Sequence, residues 1–90
     1  MIVTLRQMQY VVSVAKHGSF SKAADECAAD QSTVSQQIKT FEDRINTNIF
    51  DRSTLPITVT ESGKEIVTQC ENIISQVEGM IAPFKKKRSI

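Results

Sequence analysis

The chain has 90 residues, of which 40% are hydrophobic and 23% are charged, and its net charge at neutral pH is +1. This length and composition favour a single globular domain with one modest core. No apolar run approaches the length of a membrane-spanning helix, and no signal-peptide-like stretch follows the first residues, so we expect the chain in the cytoplasm and not at a membrane.

The first predicted helix runs from Leu5 to about Lys16. Thr4 and Gln7 have the spacing of a capping box, and Gly18 stands where a glycine often ends a helix. The apolar side chains cover too wide a surface for one neighbour, so we expect this helix to contact two others. They are Leu5, Met8, Tyr10, Val11, Val12, Val14 and Ala15.

Two further helices follow in close succession. Ser21 is the expected cap of the first, whose small apolar residues suit close packing, and Asp30 is the expected cap of the second. In the second helix the apolar residues recur at helical spacing and predict a buried stripe: Val34, Ile38, Phe41 and Ile45. Two short helices joined so tightly indicate a helix-turn-helix.

The opposite side of the second helix carries Ser32, Gln36, Lys39 and Thr40, with Ser35 on its flank. Amides and hydroxyls with little charge are what a helix needs to read base edges in a DNA major groove. An ordinary solvated helix also has a polar face, and this alternative stays open from the pattern alone.

A short wing and a long helix complete the prediction. Two β-prone stretches, 49–50 and 57–60, predict a two-stranded wing. Arg52 follows the first strand and could bind a phosphate or pair with a nearby carboxylate. Thr60 is the expected cap of the last helix, which Pro83 should end or kink near Ala82.

The last helix has a heptad seam that includes Phe84 and the five residues that we expect at a dimer contact: Ile66, Cys70, Ile73, Val77 and Met80. A parallel line of Val67, Ile74 and Ile81 lies beside it, so one line can face the domain and the other a partner helix. The predicted units are a DNA-binding domain at 1–60, a linker and dimerisation helix at 61–84, and a basic tail at 85–90.

Charge and reactive residues argue against other classes of function. Residues 1–60 carry six basic and six acidic side chains, so one copy should bind nucleic acid weakly and two copies better. One histidine and two distant cysteines make a metal site or an enzyme improbable, and no cofactor is expected. Cys27 and Cys70 are expected to be small core residues, and a thiol redox sensor ranks low because neither has a basic neighbour.

The chain up to about Phe84 resembles the N-terminal DNA-binding part of LysR-type transcriptional regulators. The resemblance rests on the order and spacing of segments at 5–10, 18–24, 31–38, 41–42, 49–52 and 58–63. Segments 25–27 and 33–35 are most similar to the OxyR branch. The resemblance implies a mainly α winged helix-turn-helix, with three helices and a short wing, followed by a linker helix that forms antiparallel dimers.

The resemblance also implies roles for particular residues. Base contacts fall on Gln31, Ser32, Ser35 and Gln36, and DNA-backbone contacts fall on Ser19, Ser21, Lys22, Lys39 and Arg52. The wing lacks the basic residues common in the family, which implies fewer phosphate contacts. The implied partners are a second copy and double-stranded DNA with a two-fold-related site. An effector ligand is implied only if the full protein has the family's C-terminal domain.

The sequence therefore leaves three hypotheses about the function. The first is sequence-specific DNA binding by a dimer in transcriptional regulation. The second is a short helix-turn-helix antagonist that pairs with a full-length regulator through its last helix. The third is the thiol sensor.

Overall fold

The structure is a computed structural model that describes residues 2–88, with side chains to Lys85. Over this range four helices and one antiparallel sheet follow in the order α1 (Leu5–His17), α2 (Phe20–Cys27), α3 (Gln31–Ile45), β1 (Phe50–Asp51), β2 (Thr58–Val59) and α4 (Lys64–Arg88). The predicted fold class, a winged helix-turn-helix with a long last helix, is confirmed.

Helix α1 is the central helix of the domain, because it packs against α2, α3 and α4, one more neighbour than expected. Its capping box is present: Thr4 Oγ1 accepts from the Gln7 backbone N–H, and the Gln7 side chain accepts from the Thr4 backbone N–H. Gly18 ends the helix in the left-handed region, at φ 64°. Tyr10, Val11 and Val14 are the buried hydrophobic residues of the helix, and Gln7 and Ser13 are its buried polar residues.

The cap of α2 differs from the prediction, whereas the cap residue of α3 is the predicted one. Ser21 lies inside α2, and the cap is Ser19, whose extended backbone brings Oγ within 3.1 Å of the Lys22 backbone N–H. Asp30 occupies the cap position of α3, but its side chain accepts no backbone hydrogen bond there. Cap sites depend on the local backbone angles, and neighbouring serines cannot be told apart by residue type.

The wing is short and tied to the helices. Phe50 pairs with Val59 and Asp51 with Thr58. The Ile57 backbone N–H donates to Gly18 O at 2.9 Å, which fixes the second strand to the end of α1. Asn46 takes the left-handed conformation at φ 55° and turns the chain from α3 towards β1.

Helix α4 begins later and continues further than predicted. Thr60 Oγ1 accepts from the Gly63 N–H at 3.0 Å, but residues 61–63 form a turn, and the helix begins at Lys64. Pro83 lies inside the helix, which continues to Arg88. The proline removes one donor to the Gly79 carbonyl, and this exposed carbonyl can bond to water instead. The predicted basic tail at 85–90 therefore begins within α4, and residues 89–90 lie outside the described range.

The core lies between α1, α2, α3, the first wing strand and the start of α4. Its members are Tyr10, Val11, Val14, Phe20, Ala23, Ala24, Val34, Ile38, Phe41, Ile49, Phe50 and Cys70. Ala23 and Ala24 give α2 a small inner face, which allows the close approach of α1 and α3. Across residues 2–88, no helix has the length and apolarity required to span a membrane.

Candidate nucleic-acid interface

Helix α3 has a fully buried side and a polar side. Val34, Ile38 and Phe41 are buried in the core, as the stripe predicted, and Ile45 is half-buried. Gln31, Ser32 and Gln36 are exposed, and their side chains make no hydrogen bond to the rest of residues 2–88. The helix is thus anchored by one side and leaves uncommitted donors and acceptors on the other.

The residues expected at the DNA backbone are distributed over α2, α3 and the wing. Ser21 and Lys22 are exposed in the first turn of α2. Lys39 is exposed on α3, and its Nζ lies 3.7 Å from Asp43 Oδ1. Both side chains are at the surface, so this ion pair is weak. Ser19 Oγ already accepts the capping hydrogen bond from the Lys22 backbone N–H, so Ser19 also has a structural role.

Arg52 is held by contacts within the domain. Its Nη1 donates to Ser35 Oγ at 2.8 Å, and its Nη2 lies 3.6 Å from Glu42 Oε1. The guanidinium carbon lies 4.6 Å from the centre of the Phe20 ring. The carboxylate pair that the sequence left as the alternative for Arg52 is therefore present, and the wing is fastened to α3 by the same contacts.

Glu42 is the functional-site neighbour that sequence analysis missed. Its side chain is only 5% exposed, and Oε2 accepts from the backbone N–H groups of Ile49 (2.7 Å) and Phe50 (3.2 Å). A signal was present, because Glu42 follows Ile38 by four residues and so lies on the buried side of α3. A carboxylate on an apolar stripe predicts a buried acceptor for a neighbouring element.

The outer end of the wing is uncharged. Residues 53–59 contain no Lys, Arg, Asp or Glu, and Leu55 is almost fully exposed. Asp51 at the base of the wing accepts hydrogen bonds from the side chain and backbone of Ser53, which hold the pKa of its carboxyl below the ordinary value. The wing therefore offers no cation beyond Arg52.

A second polar cluster joins α1 to α2. Glu26 accepts from Ser13 Oγ at 2.7 Å and from Lys16 Nζ at 3.1 Å, and His17 Nε2 lies 3.2 Å from the same carboxylate without hydrogen-bond geometry. The Ser13 hydrogen bond is the largest cause that lowers the pKa of Glu26 to about 2, followed by Lys16. His17, in the last turn of α1, thus faces an ionised carboxylate.

The predicted dimer seam divides into a buried half and an exposed half. Cys70 is 3% exposed within the domain core and so is not available to a partner, whereas Ile66 is half-buried against that core. Ile73 is 39% exposed, Met80 64% and Phe84 62%, with Val77 partly covered. The sequence could not separate the halves, because heptad spacing does not say where the domain surface ends.

The two cysteines have the environments of core residues. Burial, with a smaller contribution from Glu71, raises the pKa of the Cys70 thiol to about 11. Cys27 is partly buried and packs against the core, and both thiols are free. Among the described residues no group of three or more His, Cys, Asp or Glu side chains could hold a metal ion.

The chain is similar to known regulators over most of its length. The family described as bacterial regulatory helix-turn-helix protein, lysR family, matches residues 5–64. The DNA-binding transcriptional dual regulator OxyR of Escherichia coli K12 is 30% identical over 76 residues, which are 84% of this chain and 25% of that protein. The HTH-type transcriptional regulator CfxR of Cupriavidus necator is 37% identical over 76 residues, which are 84% of this chain and 24% of that protein.

A solved structure supports the same relation. The crystal structure of the BenM DNA-binding domain in complex with benA site 1 DNA has a TM-score of 0.86 to this chain at 29% identity, covering 97% of this chain and 98% of that one. The chain spans about a quarter of the length of the curated relatives that it matches.

Proposed function

Because the chain belongs to the lysR family of bacterial helix-turn-helix regulators, we propose that it binds double-stranded DNA at preferred sequences and regulates transcription. The observation that carries this proposal is the division of α3 into a buried apolar side and an exposed side of uncommitted amides and hydroxyls. The BenM domain, which has this fold, is bound to DNA in its crystal structure.

In this proposal α3 lies in the major groove. Gln31, Ser32, Ser35 and Gln36 contact base edges, because these hydroxyl and amide groups match the donors and acceptors displayed there. Ser19, Ser21, Lys22 and Lys39 contact the DNA backbone. Arg52 is assigned away from the phosphates, since its strongest contacts are to Ser35, Glu42 and Phe20.

A single copy holds few phosphates, so we propose that the chain acts as a dimer. Lys22 and Lys39 are the cations of the proposed interface, and two phosphate contacts give a salt slope of only roughly −2 per copy. Pairing through Ile73, Val77 and Met80 doubles this number and covers the exposed strip of α4. The half-sites would then be two-fold related and about 34–36 Å apart.

Selection of bound duplexes from a random DNA library, with affinity recorded at several salt concentrations, tests the proposal. We expect one enriched sequence with inverted symmetry and a slope near −4 for two bound copies. Binding without enrichment, or no binding, would contradict it. Absence of DNA binding favours the antagonist hypothesis. A mixed dimer of this chain with a lysR-family regulator would support that hypothesis directly.

A further inference from the structure

The guanidinium of Arg52 is fixed in three directions. Glu42 lies on one side at 3.6 Å, the Phe20 ring at 4.6 Å, and Ser35 accepts from Nη1 at 2.8 Å. Nη2 also reaches the Ser35 backbone carbonyl at 3.4 Å. Glu42 is itself held by two backbone N–H groups of the wing, so the guanidinium has a rigid support.

This support restricts how the Ser35 hydroxyl is oriented, because the guanidinium occupies one of its two lone pairs. A guanidinium only donates, so Ser35 Oγ must accept at the 2.8 Å contact, and its proton must point elsewhere. Within residues 2–88 the Ser35 hydroxyl finds no acceptor, not even the helix carbonyl of Gln31. The side chain is only partly buried, and its free O–H is therefore left as a donor towards the surface.

We propose that Arg52 is a positioning residue that fixes Ser35 as a hydrogen-bond donor to an acceptor on a base edge. The inference rests on the proposed function. A hydroxyl that already accepts from a cation is also a stronger donor, because the hydrogen bonds polarise one another.

The chemistry of the major groove then limits which bases suit Ser35. Guanine presents N7 and O6, adenine N7 and thymine O4 as acceptors, whereas cytosine presents only its N4 amino donor. Ser35 should disfavour a cytosine at the contacted position. One neutral hydrogen bond corresponds to a discrimination of roughly 3–10-fold.

The test uses the duplex selected from the random library and its single-base variants, with wild type, Ser35→Ala, Arg52→Lys and the double variant. Lysine keeps the charge but has one ammonium, which the buried Glu42 carboxylate should capture. We expect both single variants to lose discrimination at the same base position, by roughly 3–10-fold, and the double variant to lose no more than Ser35→Ala alone.

Base analogues give a second measurement that does not depend on Arg52 variants. If the contacted base is a purine that presents N7, 7-deaza replacement should weaken the wild type and leave Ser35→Ala unaffected. If the contacted atom is O4 of thymine, the analogue is 4-thiothymine, and if it is O6 of guanine, the analogue is 6-thioguanine. In both analogues sulfur replaces the oxygen and is the poorer hydrogen-bond acceptor. Lys39→Ala is the control and should weaken all sequences equally, since its charge is paired with Asp43 and takes no part in the hydrogen bonds between Arg52 and Ser35.

A structural role alone would not give this result, because partial unfolding lowers affinity for all sequences by the same factor. Three results would overturn the inference while leaving the proposed function intact. Arg52→Lys or Ser35→Ala could weaken binding to all sequences equally, the two variants could lose discrimination at different base positions, or their losses could add in the double variant. If no duplex is enriched, the proposed function fails first, and the inference fails with it.

Discussion

Gln36 and Gln37 are neighbours in α3 with opposite surroundings. The Gln36 side chain is exposed and uncommitted, whereas Gln37 accepts from Gln7 Nε2 at 3.0 Å. Because an exposed amide can pair bidentately with adenine, Gln36→Ala should cost about 1–3 kcal/mol on the selected duplex and relax preference at one position. Gln37→Ala should leave base preference unchanged.

Quantitative binding to single-base variants of the duplex would measure both effects. Equal weakening of selected and random DNA by Gln36→Ala would remove this residue from the base-reading set. A changed preference in Gln37→Ala would mean that the inner side of α3 also contributes to reading.

Glu42 should matter for stability more than for binding. Removing its carboxylate leaves the Ile49 and Phe50 backbone donors without their acceptor and Arg52 without its anion. Buried donors left unsatisfied cost about 1–3 kcal/mol each, so the loss of two acceptor contacts in Glu42→Ala should lower the free energy of unfolding by roughly 2–6 kcal/mol. Glu42→Gln keeps one accepting oxygen and should lose less.

Urea denaturation followed by circular dichroism would give the two values. A loss below about 0.5 kcal/mol for Glu42→Ala, the range of ordinary surface substitutions, would mean that water replaces the carboxylate at no cost.

Helix periodicity predicted α3 correctly because the signal is repeated four times along one side. The residues that end each helix and the hydrogen-bond partners of single side chains were harder to predict. Ser19 and Ser21 have the same side chain, and only the extended backbone at Ser19 decides which one caps α2. The hydrogen bond from Arg52 to Ser35 joins residues 17 positions apart, and such pairings depend on how the wing folds onto α3.

The start of α4 depends on a close approach that only glycine permits. A Cβ on Gly63 would lie 2.5 Å from the Ile49 carbonyl oxygen and 2.7 Å from its Cα, both backbone atoms. Gly63→Ala should therefore destabilise the domain by about 1–3 kcal/mol through displacement of α4 from the wing. Gly79 has open space around it, and Gly79→Ala should stabilise α4 by about 0.4–1 kcal/mol.

Thermal unfolding of the two variants would compare the same substitution in the turn before α4 and within α4 itself. Similar melting temperatures would contradict the prediction, because they would mean that the contact at Ile49 relaxes without cost.

The length of α4 determines which of its residues a second copy of the chain could contact. A helix of 25 residues is about 37 Å long, and only its first part is covered by the domain. The sequence predicted one apolar line for the domain and one for a partner. The structure instead packs the start of both lines against the core, with Ile66 and Val67 half-buried, and exposes the later seam at Ile73, Met80 and Phe84.

We therefore expect the dimer contact towards the second half of α4. Ile73→Asp or Met80→Asp would place a charge in that contact, where burying it unpaired costs several kcal/mol, so each variant should dissociate the dimer. Ser75 is exposed on the opposite side of the helix, and Ser75→Asp is the control with the same added charge. Each domain should stay folded, since Met80 lies outside the core and Ile73 is substantially exposed.

Sedimentation and circular dichroism would measure assembly and folding on the same samples. A wild type that stays monomeric at high concentration, or a Met80→Asp variant that stays dimeric, would exclude this contact. Unfolding of Ile73→Asp alone would move the contact further along the helix, towards Met80 and Phe84.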